Sequence, residues 1–170
     1  MSYQILAIDP GKTGSAALFT VWQTAIKLSF VFDLAAYGDT WEKQLHALLV
    51  YNRPAEIVME GVHAMPWDGK KSAFSFGGNK KAIETVLKLA GYKWRTVDPK
   101  TWQLRLGLPK NRHLTERKKR REQGRKDQEA LAIKLFPDLA TAQGDIYASV
   151  LIGYAACLDK LGVPLGRLTP

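Results

Sequence analysis

The sequence predicts a single α/β domain, a five-stranded mixed sheet with helices on both faces. Three observations carry that expectation. Short apolar runs at 3–8, 56–60 and 92–97 are stopped by Asp-Pro-Gly, Gly61 and Asp98-Pro99, the marks of buried strands ending in turns. Two further strand-like runs between 14 and 34 have no helical segment between them, which a meander satisfies. Elsewhere the apolar residues recur at helical spacing. The 170 residues fit one domain, which usually spans about 100–200 residues. With 46% of residues hydrophobic, the core needs no disulfide or metal staple.

The elements follow in order. Residues 3–8, 14–19 and 26–34 read as three strands. Trp41, Leu45, Leu48 and Leu49 set a helix over 40–50, and 56–60 is a fourth, buried strand. A loop punctuated by Gly and Pro follows. Ile83, Val86, Leu87 and Ala90 fall at i, i+3, i+4 and i+7 of an amphipathic helix. A fifth strand covers 92–97, and a helix covers 126–136, ended by Pro137. The closing helix, 146–161, is apolar on nearly every face and is therefore expected to be buried. No repeat or low-complexity tract is present. A sheet with meander and crossover connections satisfies this order, and the ribonuclease H-like fold has this pattern.

Charge narrows the partners. The net charge is +9, and a polyanion is the physical counterpart of such an excess. Nine cations lie between 110 and 126: Lys110, Arg112, Arg117, Lys118, Lys119, Arg120, Arg121, Arg125 and Lys126. Set against Glu116 and Glu122, they concentrate seven of the net charges in one segment. That density favours phosphate binding over a merely solvated face. The single cysteine, Cys157, has no partner within the chain, so a reducing compartment is expected. No basic-then-apolar leader opens the chain. The longest uncharged apolar run, 146–158, falls short of the ~20 residues of a membrane span. A soluble protein of bacterial or phage-infected host cytoplasm, with no membrane partner, is the expectation.

Asp9 closes the first strand, at the sheet edge where open α/β sheets bind ligands. Taken alone, Asp9-Pro10-Gly11 reads first as a turn. Glu60 has the same placement on the fourth strand, expected to be parallel to the first. Asp145 stands before the last helix, where an N-cap carboxylate is ordinary chemistry. Carboxylates gathered at one point repel unless a cation neutralises them, and hard oxygen ligands suit Mg²⁺ or Mn²⁺. A pair of such ions is a device for phosphodiester hydrolysis. Past Glu60, the stretch 63–81 interleaves aromatics with lysines: Lys70, Lys71, Phe74, Phe76, Lys80 and Lys81. Such a pattern suits unstacked bases, with one phenylalanine in the core as the rival reading. His63 is read as a structural hydrogen-bonder.

These residues resemble a known family. Ala7-Ile8-Asp9-Pro10-Gly11-Lys12-Thr13-Gly14 is similar to the first-strand motif of RuvC-type Holliday junction resolvases. The runs from Val58 to Pro66 and from Ser72 to Gly77 resemble the second, as it stands in phage-borne members. Val97-Asp98-Pro99-Lys100-Thr101-Trp102 and Lys134-Leu135-Phe136-Pro137 match further landmarks in the same order. The resemblance implies a homodimer that binds four-way DNA in recombination and repair, each subunit nicking one strand by Mg²⁺-dependent hydrolysis with two ions per site. Asp9, Glu60 and Asp145 match three members of the family's acidic tetrad, as catalytic residues and metal ligands. The fourth position holds Ala148, which implies either a lost acid or an inactivating substitution. Lys12, the lysines and phenylalanines of 70–81, and Arg117, Lys118, Lys119, Arg120, Arg121, Arg125 and Lys126 would meet DNA. Two alternatives stay open: another ribonuclease H-like nuclease acting on RNA precursors or flaps, and a catalytically dead junction-binding module. A two-domain ATPase with a similar first strand does not fit in 170 residues.

Overall fold

The computed structural model describes residues 2–11, 13–61, 70–111, 113–142 and 144–164, without the side chains of 70–76. The strands are β1 (Tyr3–Asp9), β2 (Ser15–Val21), β3 (Ile26–Asp33), β4 (Glu56–Glu60) and β5 (Arg95–Val97). The helices are α1 (Trp41–Asn52), α2 (Lys70–Leu89), α3 (Pro99–Arg105), α4 (Arg117–Leu135) and α5 (Tyr147–Lys160). Short 3-10 segments at Ala35–Thr40 and Pro137–Thr141 link them.

The sheet order is β3-β2-β1-β4-β5. β1 pairs antiparallel with β2, placing Asp9 opposite Ser15, and β3 returns to place Asp33 opposite Ser15 on the other side. β4 lies parallel to β1 and β5 parallel to β4, with Val97 beside Glu60. The ends of β1, β3, β4 and β5 therefore share one sheet edge. That edge carries both Asp9 and Glu60.

Successive strand residues point to opposite faces, and the core divides accordingly. Leu6, Ile8, Leu18, Ile57 and Met59 meet Leu45 and Leu49 of α1 and Ile83 and Leu87 of α2. Ile5, Ala7, Phe19 and Val58 meet α5, with Trp102 of α3 and Ala132 of α4. Ten consecutive residues of α5, from Ser149 to Leu158, are buried, as its uniformly apolar sequence requires. Gly153 lets this helix lie on the sheet, because a Cβ there would strike the Phe19 ring.

Four expectations are corrected. The stretch from Lys70 to Lys81 is helix rather than loop, since α2 begins at Lys70. Gly77 and Gly78 punctuate the sequence yet sit within this helix, whose C-terminal half is anchored by Ile83 and Leu87. Tertiary packing of that face outweighs the ~1 kcal/mol helical cost of each glycine. α3 is an element beyond those expected, although Asp98 caps it by accepting the Lys100 N–H at 2.7 Å and Pro99 opens it. α4 starts at Arg117, not 126, because Arg, Lys and Gln are good helix formers. Finally, Asp145 does not cap α5: the N-cap is Ile146, with no side-chain cap bond.

Candidate functional site

Asp9 is a turn residue as well as a candidate site residue. Its Oδ1 accepts the Gly11 N–H at 2.9 Å, and a Cβ on Gly11 would lie 3.2 Å from that oxygen. Glycine thus lets the chain fold back across the carboxylate. Asn79 of α2 donates to the Gly11 carbonyl at 3.2 Å, tying that helix to the turn. Gly14 donates to the same carbonyl and has a positive φ, and any side chain there would collide with Leu34. Burial pushes the Asp9 carboxyl up to about 6, eased by the Gly11 N–H, raised by the Asp145 charge and eased again by Arg125.

Glu60 ends β4, and the Trp102 indole N–H donates to its Oε1 at 2.9 Å. The next residue, Gly61, donates its N–H to the Val97 carbonyl at 2.7 Å, so the chain beyond Glu60 stays fastened to β5. Burial pushes Glu60 up to about 7. The Asp9 charge adds to that, the Trp102 bond opposes it, and Asp98 raises it further. Each carboxylate of the pair therefore lies in the electric field of the other.

Asp145 precedes α5 and faces cationic company. Its Oδ2 accepts from Thr13 Oγ1 at 3.4 Å and stands 3.9 Å from the Arg125 guanidinium. The start of α5 is fixed by a buried hydroxyl relay. Ser15 Oγ donates to Ser149 Oγ at 2.9 Å, and Ser149 Oγ donates to the Ile146 carbonyl at 2.9 Å. Ala148 lies in the first turn of that helix, half-buried. Asp145 lies outside the helix, so the rule that places residues three apart on one helical face does not bind it to Ala148.

Among the described residues no three Asp, Glu, His or Cys side chains come close enough to hold one metal ion. Asp9 and Glu60 form the electrostatically coupled pair, and Asp145 reaches Asp9 only through its charge. The donor set nevertheless has the chemistry of a hard cation site. All its donors are carboxylate oxygens, and both members of the pair resist ionisation, chiefly because burial outweighs the contacts that favour the charged form. Asp9 Oδ2 and Glu60 Oε2 accept no hydrogen bond among the described residues.

The cationic residues lie on two helices. From Arg117 to Arg121 every residue of α4 is exposed, as are Arg125 and Lys126. Lys119 pairs with Glu116 at 2.7 Å, Lys118 stands 4.0 Å from Glu122, and Arg120 donates to the Thr115 carbonyl at 3.3 Å. The packed part of α4 is its C-terminal half, where Leu131, Ala132, Ile133 and Leu135 join the core. On α2, Lys80 is half-buried and Lys81 is exposed, 3.6 Å from Glu84. Lys12, Arg112 and residues 62–69 with His63 lie outside the described residues, as do the side chains of Lys70, Lys71, Phe74 and Phe76.

Sequence reasoning missed Thr13, Asn79, the serine relay and the role of Trp102. Thr13 and Trp102 carried a signal, as members of the Ala7–Gly14 and Val97–Trp102 motifs. Hydroxyl and amide contacts between distant segments leave no periodic trace.

The sheet order and its helical covering make this a ribonuclease H-like α/β fold, the fold of Holliday junction resolvases. Thermus thermophilus RuvC, solved in complex with a Holliday junction substrate, superposes with a TM-score of 0.58 at 16% identity, covering 94% of this chain and 96% of that one. A fowlpox virus resolvase, solved with substrate Holliday junction DNA, gives 0.57 at 16% identity, covering 91% and 99%. A second structure of the Thermus protein gives 0.58 at 15%. No protein-family model matches the chain, and no curated protein matches it in sequence.

Proposed function

We propose that the chain is a structure-selective endonuclease that resolves four-way DNA junctions as a homodimer, by metal-dependent hydrolysis of a phosphodiester. The observation that carries this reading is the meeting of opposite charges at one place. A half-buried carboxylate pair ends two parallel strands, and the exposed cationic helix α4 reaches the same edge through Arg125. A site that both attracts phosphate and gathers hard oxygen ligands is suited to phosphoryl chemistry. Two structures of this fold hold Holliday junction DNA, which supports the choice of branched DNA.

In this reading Asp9 and Glu60 would hold Mg²⁺ or Mn²⁺, with Asp145 moving in to join them, since the three do not stand close enough to share one ion; the ion would supply water activation and stabilisation of the leaving oxygen. The chain's own residues do the rest. Gly11 and Trp102 each occupy one oxygen of a carboxylate, orienting the other. Thr13 and Arg125 hold Asp145, and the cations of α4 hold the DNA backbone.

Ala148 supports a second reading, in which the chain binds junctions without cutting them. Four-way, Y-shaped and linear DNA, incubated with Mg²⁺ and with Ca²⁺ as a non-cleaving control, separate the two when the chain is compared with Ala148→Asp. The nuclease reading expects junction-selective binding by both proteins and Mg²⁺-dependent cutting by Ala148→Asp, abolished by adding Asp9→Asn. Binding without cutting by either protein supports the second reading. Equal affinity for junction and linear DNA would overturn both.

A further inference from the structure

We propose that Trp102 is a positioning residue for Glu60: its indole N–H fixes one carboxylate oxygen and so leaves the other as the ligand atom. The inference rests on the reading of Glu60 as a site residue. Trp102 is 2% exposed, among the largest fully buried side chains. A buried indole N–H requires an acceptor, and here the acceptor is the Glu60 carboxylate at 2.9 Å. Such a bond to an ionised oxygen is stronger and more directional than one between neutral groups.

The mount of this indole is rigid. Asp98 and Pro99 open α3, and the Asp98 carbonyl accepts the Trp102 backbone N–H at 3.4 Å. One turn on, Arg105 is 7% exposed. Its Nε donates to Asp159 of α5 at 2.7 Å, and its other nitrogens donate to the Val163 and Pro164 carbonyls. α3 is thereby clamped to the C-terminal end of α5, while Trp102 reaches Glu60 at the end of β4. A cavity of about 380 Å³, lined by Trp102, Val58, Val97, Leu104 and Ile152, lies beside the ring, so a smaller aromatic ring meets no steric conflict there.

The variant Trp102→Phe removes the donor and keeps an aromatic ring in the core. Mn²⁺ binding followed by electron paramagnetic resonance needs no catalysis. Loss of a group that orients a metal ligand reduces metal affinity by about 10–100-fold. That loss is expected in Trp102→Phe, with junction affinity in Ca²⁺ unchanged, and no further loss is expected when Trp102→Phe is added to Glu60→Gln. Unaltered Mn²⁺ affinity, or equal losses in the presence and absence of Glu60, would overturn the proposal. If the parent chain binds no Mn²⁺, the metal reading above fails. If Trp102→Phe does not fold, the metal comparison gives no reading. In either event the ¹H–¹⁵N signal of the Trp102 indole in the parent decides the question. It must move with Glu60→Gln and stay put with Lys43→Ala on α1, and an unmoved signal in Glu60→Gln overturns the proposal.

Discussion

The guanidinium of Arg125 stands 3.9 Å from Asp145 Oδ2, so the cationic helix α4 touches the acidic sheet edge at that point. The same positive charge lowers the proton affinity of Asp9, which makes Arg125 an electrostatic link between surface and site. Its side chain is 77% exposed, and pairs of this kind contribute about 0–1 kcal/mol to stability. The ion pair therefore breaks readily and can re-form against a phosphate.

Arg125→Ala is accordingly expected to leave the unfolding midpoint nearly unchanged while weakening junction binding. The slope of log affinity against log salt should become shallower by about one unit. Titration of binding at several salt concentrations checks this. A large loss of stability with an unchanged slope would show that Arg125 is a structural residue.

The exposed cations of α4 set the expected response to salt. Replacing Lys118, Lys119, Arg120 and Arg121 by alanine should flatten the slope by about 0.9 for each phosphate that is no longer neutralised. Gel shifts with a four-way junction between low and moderate salt provide the measurement. Binding as tight and as salt-sensitive as that of the parent would remove α4 from the DNA surface.

Asp9 and Glu60 hold their protons to about 6 and about 7, above their ordinary values of 3.8 and 4.5. Between those values the folded chain binds more protons than the unfolded one, so their contribution to stability falls as pH rises. It is fully present below the ordinary carboxylate values and lost as pH passes through the folded ones. The melting temperature of the parent minus that of Glu60→Gln, measured without divalent ions, should therefore fall from pH 4 to pH 8. Mg²⁺ at pH 8 should raise the parent's melting temperature more than the variant's, since a ligand bound only by the folded state stabilises it. A difference that stays constant with pH would show that Glu60 ionises normally.

The serine relay carries a stability prediction. Ser15 and Ser149 are fully buried, and Ser149 is the acceptor for Ser15. Ser149→Ala leaves the Ser15 hydroxyl without that partner, which costs about 1–3 kcal/mol. Urea unfolding should show this loss, and the double alanine variant should recover part of it. Full stability in Ser149→Ala would mean the hydroxyl finds another acceptor.

The sheet was legible because strands leave a local signature. The run Glu56 to Glu60 coincides with β4, and the ends of the two strand runs placed Asp9 and Glu60 at one sheet edge without any knowledge of side-chain contacts. Helix starts were less legible. The glycines at 77 and 78 and the charges from Arg117 to Lys126 hide helical backbone, because an exposed helical turn needs no apolar residue to mark it. Asp145 is legible as a residue near the site, but the capping role its position suggests falls to Ile146. Its distance to Arg125 depends on how α4 packs against α5, which no spacing within either helix encodes.

β1 is joined on one side to its neighbour in sequence and on the other to β4, and α5 lies across the face of the sheet beneath it, with Trp102 of α3 and Ala132 of α4 beside it. During synthesis the chain emerges from its N-terminus. The cationic α4 therefore leaves the ribosome before the helix that completes one hydrophobic layer, and Asp145 follows the last of those cations. A nascent chain stalled before α5 exposes the sheet face formed by Ile5, Ala7 and Phe19 and lacks Asp145, while already carrying the cations of α4. Ribosomal RNA is the polyanion nearest at hand at that moment, and an unfinished chain meets it with the cations of α4 in place and the acidic edge incomplete.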